Sequence, residues 1–108
     1  MATPYLMILC TVPDSVTAQK ISRILVEEKL AACCNIVPGL NSIYRWENKI
    51  QDEPEILLIF KTRQELFSEL EQRVKSLHPY AVPEIIAIPI VSGNIDYLKW
   101  MDENVKKN

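Results

Sequence analysis

The chain has 108 residues, 48% hydrophobic and 24% charged, with a formal net charge of -2, which suits one domain with one core. A pI near 5.4 and the lack of any run of Lys or Arg exclude the phosphate-gathering surface that a nucleic-acid partner needs. No apolar run approaches the ~20 residues needed to cross a bilayer, so no membrane insertion is expected.

With two glycines, no repeat and no low-complexity tract, residues 1–108 are expected to fold as a single domain. The cysteines Cys10, Cys33 and Cys34 are odd in number, and neighbours in a strand project to opposite faces, so no disulfide framework follows. Free thiols favour a reducing compartment, and a cytoplasmic location is expected. The opening MATPYLMILCTV has neither a basic leader nor a small-residue cleavage site and reads as a first strand rather than a secretory signal.

Tyr5 to Val12 is a continuous apolar run closing at VPDS, which predicts a buried strand and then a helix capped by Asp14 or Ser15. In DSVTAQKISRILVEEKLAA, Ile21, Ile24, Leu25 and Leu30 recur at helical spacing with Gln19, Lys20, Arg23 and Glu27 between them, an amphipathic pattern. ACCNIVPGLNSIYRW is rich in β-branched and aromatic residues and is broken by Pro38-Gly39, predicting a bulged strand. The polar ENKIQDE is expected to turn the chain into EILLIFKT, completing a long hairpin. Thr62 and Glu65 have the spacing of a capping box, and Leu66, Phe67, Leu70, Val74 and Leu77 form the apolar stripe of a second helix that Pro79 ends. PEIIAIPIV follows as a fourth strand, which Pro89 places at an edge or a bulge, and Asn94 caps a third helix carrying Leu98, Met101 and Val105.

The order β-α-β-β-α-β plus a helix predicts an α+β, ferredoxin-like sandwich with two helices on one face of an antiparallel sheet. Fifteen extended residues span ~50 Å, whereas a domain of this size has a radius of gyration of ~13 Å. The hairpin must therefore overhang or bend. An overhang bearing Ile43, Tyr44 and Trp46 exposes apolar side chains and unpaired backbone, so a closed homo-oligomer built by strand pairing is expected, two-fold or three-fold.

CTVPD, EEKLAACCNIVPGLNSIYRWENKI, LIFKT, HPYAVPEI and DYLKWM, taken together, resemble the CutA family of divalent-cation tolerance proteins over Tyr5 to Met101. The resemblance implies a homotrimer with PII-like architecture, a link to tolerance of copper and other divalent cations, and no enzymatic activity. It also implies copper or another divalent cation as ligand and no organic cofactor. Copper-binding members use the cysteine of the CT-x-P segment and two successive histidines before PY; Cys10 and His78 match two of these, and Leu77 stands in place of the first histidine.

Without the family, Cys10 reads as a buried thiol packing as a small hydrophobe, although a strand end near a loop could open it to a soft ion such as Cu(I). His78 reads as a helix C-terminal residue facing unpaired carbonyls, and one imidazole makes no metal site alone. Cys33 and Cys34 are expected to be structural. Of Trp46, Lys61, Glu84, Tyr97 and Trp100, the resemblance places several near clefts between subunits; the tryptophans read as interface anchors before ligand platforms, and Lys61 with Glu84 as an ion pair before contacts to a polar ligand. Two other readings remain: a PII-like sensor of a small metabolite, and an assembly scaffold. An enzyme with Cys10 as nucleophile and His78 as base ranks last, because no orienting group or oxyanion site accompanies them.

Overall fold

The computed structural model describes residues 4–107; positions 1–3 and 108, part of the expected single domain, lie outside the described residues. The chain runs β1 (Tyr5–Val12), α1 (Ser15–Glu27), β2 (Cys33–Trp46), β3 (Lys49–Arg63), a 3-10 turn (Gln64–Leu66), α2 (Phe67–Leu77), β4 (Ile86–Pro89) and α3 (Ile95–Glu103). All strand pairs are antiparallel, in the order β2-β3-β1-β4. This is the expected α+β arrangement.

Strand alternation decides where the core lies. Leu6, Ile8, Cys10 and Val12 of β1 pack with Leu58 and Phe60 of β3 beneath Ala18, Ile21 and Leu25 of α1 and Leu70 and Val74 of α2. Burying a side chain the size of Ile8 or Phe60 contributes about 1.5–3 kcal/mol. Arg73 of α2 clamps both carboxylate oxygens of Glu28 just past α1, at 2.9 and 2.8 Å. A second cluster of Ala32, Leu66, Met101 and Val105, joined by Tyr5, Ile90 and Leu98, seats α3 at one end of the sheet. There the Tyr5 hydroxyl donates to Asp102 Oδ2 at 2.9 Å, and Arg63 pairs with Asp102.

Helix α1 begins where the sequence places it, with Asp14 Oδ1 accepting from Thr17 N–H at 2.8 Å. It ends earlier than the apolar pattern suggests, at Glu27. Lys29 takes a left-handed φ of 59°, Leu30 N–H bonds the Leu25 carbonyl, and Lys29 N–H bonds the Val26 carbonyl. That is a Schellman motif with lysine where glycine is usual, and Leu30 packs back on the core as its hydrophobic partner.

The hairpin turn is shorter than expected. Glu47 and Asn48 alone make it, with φ of 51° and 64°, and Trp46 already pairs with Lys49; two successive left-handed residues match the twist of the flanking strands. Most of ENKIQDE is therefore strand, with Asn41 Nδ2 donating to Asp52 Oδ1 at 2.8 Å. The bulge falls at Pro38-Gly39 as expected: pairing skips from Val37↔Leu57 to Leu40↔Glu55, and Gly39 has φ 86°.

The capping box at Thr62 does not form. Thr62 is still in β3, fully buried, and its hydroxyl donates to the Leu30 carbonyl at 2.7 Å. Arg63 occupies the cap position of the 3-10 turn without a side-chain capping bond. Helix α2 ends at Leu77, and His78 is extended (φ -81°, ψ 135°), as the residue before a proline must be. Strand β4 lies at the sheet edge and closes on Pro89, as read from the sequence. Asn94 Oδ1 caps α3 through Tyr97 N–H, but the helix ends at Glu103 and Val105 reaches the second cluster from beyond it.

Strand β1 stops pairing with β3 at Val12↔Ile56, whereas β2 and β3 remain paired from Leu40↔Glu55 to Trp46↔Lys49. The two-stranded ribbon thus overhangs by about 23 Å, which accounts for extents of 44 × 28 × 23 Å. The sheet face opposite α1 and α2 is largely bare. Register puts Met7 and Leu9 of β1, Leu57 and Ile59 of β3, and Ile86 and Ile88 of β4 side by side on it.

A candidate cleft at the base of the hairpin

The two residues expected to hold a metal meet at one backbone carbonyl rather than at a shared vacancy. Cys10 has no exposed surface, and its thiol points weakly at the Thr11 carbonyl, 3.8 Å away. Burial, helped by Glu84, Cys34 and Glu55, pushes the thiol up to about 12, so it is protonated at neutral pH. The expected opening of the strand end to solvent is absent, because Val12 beyond it and Leu58 beside it are also fully buried.

His78 is almost buried and fully engaged. Tyr80 N–H donates to its Nδ1 at 3.1 Å, which leaves the proton on Nε2 to be donated to the Thr11 carbonyl at 2.8 Å. The backbone N–H of His78 closes α2 on the Val74 carbonyl at 2.9 Å. The imidazole therefore ties the segment after α2 to the end of β1 instead of facing helix carbonyls. Among the described residues, no group of three or more His, Cys, Asp and Glu side chains is gathered as a metal site.

Thr11, which His78 ties, also lines a cleft of about 560 Å³ together with Tyr44 and Trp46 of the ribbon, Glu55, Tyr80 and Glu84. Glu55 is 7% exposed, and its Oε2 accepts from the Tyr80 hydroxyl at 2.6 Å. Burial, and then Glu55, raise the Tyr80 phenol above its ordinary range, keeping it a neutral donor.

Of the five residues read as cleft candidates, Trp46 and Glu84 line this cleft, while Lys61, Tyr97 and Trp100 cluster apart from it. Lys61 Nζ donates to the Tyr97 hydroxyl at 3.5 Å and lies 5.6 Å from that ring, which in turn lies 5.5 Å from Trp100. The expected Lys61–Glu84 ion pair is not made. Lys61 is level with Met7 of β1, whereas Glu84 precedes Ile86, which is level with Leu9; the two are about 13 Å apart along the strands.

Sequence reasoning placed Tyr44 on the overhang without assigning it to a cleft, and missed Glu55 and Tyr80. A carboxylate opening an apolar run, as in EPEILLIF, was a readable signal, because a strand rarely carries one inward without a partner. Cys33 and Cys34 do project oppositely: Cys34 packs on the core with its sulfur 3.0 Å from Ser22 Oγ, and Cys33 Sγ faces Asn35.

An antiparallel sheet ordered β2-β3-β1-β4, two helices on one face and an overhanging β2–β3 ribbon define a ferredoxin-like α+β protein with a cleft where the ribbon leaves the sheet. The chain belongs to the CutA1 divalent ion tolerance protein family, whose model matches residues 6–104. It is 54% identical over 98 residues to the divalent-cation tolerance protein CutA of Thermus thermophilus, covering 91% of this chain and 95% of that one. It is 44% identical to the chloroplastic CutA 1 of Oryza sativa, spanning 97% of this chain but 59% of the rice protein. The structure of the periplasmic divalent cation tolerance protein CutA of Archaeoglobus fulgidus superposes with a TM-score of 0.92 at 43% identity, covering 94% of this chain and 99% of that one.

These relatives overturn the cytoplasmic expectation, since one is periplasmic and another chloroplastic. The physical reason is that the thiols never specified a compartment: Cys10 is sealed in the core, and Cys33 and Cys34 project apart on one strand. Among the described residues, no helix is long and apolar enough to cross a membrane.

Proposed function

We propose that this chain works as a homotrimer and takes its part in tolerance of divalent cations, copper included, as a binding assembly and not as an enzyme. The bare sheet face carries the reading. Met7, Leu9, Leu57, Ile59, Ile86 and Ile88 form one apolar field, with Ile86 and Ile88 50% and 40% exposed, and both edges of the ribbon lack a partner strand among the described residues. An apolar field beside unpaired strand edges is a surface that another chain covers. The need for closure comes from that face, and the number three from the CutA resemblance.

In this reading copper is not taken by Cys10 and His78 of a resting chain. The thiol is sealed and protonated, and both imidazole nitrogens are already bonded. Complementation of a host lacking its own CutA, challenged with copper salts, tests the proposal. Ile59→Asp, which places a charge on the bare face, is expected to abolish protection, and Cys10→Ala to retain it. Protection by Ile59→Asp with loss in Cys10→Ala would contradict it.

A further inference from the structure

We infer that neighbouring copies are joined by a charge pair that one chain does not make by itself, Lys61 of one copy against Glu84 of the next. The inference rests on the homotrimer reading and names the contact that orients the copies. Alternation along β3 carries Lys61 onto the bare face in line with Leu57 and Ile59, and register sets it level with Met7. Glu84 stands at the opposite end of that face: it leads into β4 two residues before Ile86 and shares a cleft with Thr11, two residues beyond Leu9 on β1. The apolar field therefore runs between a basic end and an acidic end, separated by about 13 Å along the strands.

Covering the field with another copy withdraws Lys61 from water. Its ammonium group has a neutral neighbour, the Tyr97 hydroxyl at 3.5 Å, with that ring 5.6 Å away, and it enters no ion pair among the described residues. A cation buried without a counter-charge is costly. Arg63, two residues further along β3, does not share this need, because Glu65 and Asp102 already pair with it. At the acidic end Glu55 is bonded to Tyr80, which leaves Glu84, outside the ion pairs among the described residues, as the carboxylate to be matched. A three-fold ring joins unlike patches head to tail. Each copy then gives one Lys61 and receives one Glu84, and the pairing fixes the register of one copy on the next.

A charge swap tests this inference. The wild-type chain, Lys61→Glu, Glu84→Lys and the double variant are compared by sedimentation velocity over a dilution series, in the urea concentration that half dissociates the wild type. Each single variant is expected to raise the dissociation constant at least tenfold, and the double variant to recover at least fivefold of that loss. With the wild type associated, single variants as tight as the wild type, or a double variant no tighter than the weaker single, would overturn the pair and leave the homotrimer reading standing. A wild type found at the mass of one chain would overturn both. A crystal structure of the wild-type assembly reads the contact without any substitution: Lys61 Nζ within about 4 Å of the Glu84 carboxylate of a neighbouring copy is expected, and Lys61 seated on another carboxylate, or on none, would overturn the inference.

Discussion

Thr62→Val tests whether this side chain is a helix cap or a buried cross-link. The hydroxyl lies in β3 with no exposed surface and donates to the Leu30 carbonyl at 2.7 Å, fastening the segment that leaves α1 to the middle of the sheet. Valine keeps the shape and removes the donor. Stranding a buried carbonyl costs about 1–3 kcal/mol, and the extra buried methyl offsets about 0.8 kcal/mol. The expected net loss is about 0.2–2 kcal/mol. Thr62→Asp forces a charge into the same space and is expected to cost more than about 3 kcal/mol. Equilibrium unfolding in urea at one fixed protein concentration reads both, with the midpoint falling and the slope unchanged. A helix cap makes the opposite prediction, because aspartate caps at least as well as threonine. If Thr62→Val unfolds with the wild type and Thr62→Asp is no less stable, the buried cross-link is wrong.

Lys29→Gly, at the left-handed position that ends α1, is expected to stabilise by about 0.5–1 kcal/mol in the same assay; any destabilisation would refute the Schellman geometry. Asn48→Gly in the two-residue turn is expected to be neutral or stabilising and Asn48→Val destabilising, because a β-branched residue resists φ of 64°; equal midpoints for the two variants would contradict the turn. Burial holds the folded thiols of Cys10 and Cys34 at about 12 and about 11 against an ordinary 9.0. The unfolded chain therefore loses these protons first as pH climbs past 9.0; their stabilisation is full below that pH and is lost as pH rises through the folded values. Cys10→Val is expected to flatten the alkaline fall in the urea midpoint, and an unchanged slope would show that the thiol does not titrate in this way.

Much of the fold was legible because period and punctuation agreed. Asp14 before an amphipathic run, Pro38-Gly39 inside a β-rich stretch and Pro79 after an apolar stripe each mark a boundary that the backbone obeys. The misreadings share a cause, which is that long-range packing overrides local pattern. Leu30 looks helical by spacing, yet it is the hydrophobic partner of a Schellman turn whose lysine hides the usual glycine signal. Thr62 has cap spacing, yet β1 holds it in the sheet through the Leu6↔Thr62 pair. ENKIQDE looks like a loop because its polar residues lie on a ribbon with no core beneath it.

The candidate site was legible in part for the same reason. Trp46 and Glu84 reach the cleft, whereas Lys61 is carried away by register and joins Tyr97 and Trp100 instead. Glu55 and Tyr80 are brought together only by the segment after α2 wrapping the end of β1, a contact across 25 positions that spacing alone does not encode. His78 was correctly read as ending α2, but its bond to the Thr11 carbonyl spans 67 positions and depends on the folded sheet.

Sedimentation equilibrium at low micromolar concentration tests the central claim, that this chain is completed by copies of itself across the bare face of its sheet. Three copies of the 12.4 kDa chain should sediment as one species of about 37 kDa, and Ile59→Asp should shift the distribution to lighter species. A wild-type protein that stays at the mass of one chain, well folded and without self-association, would contradict it.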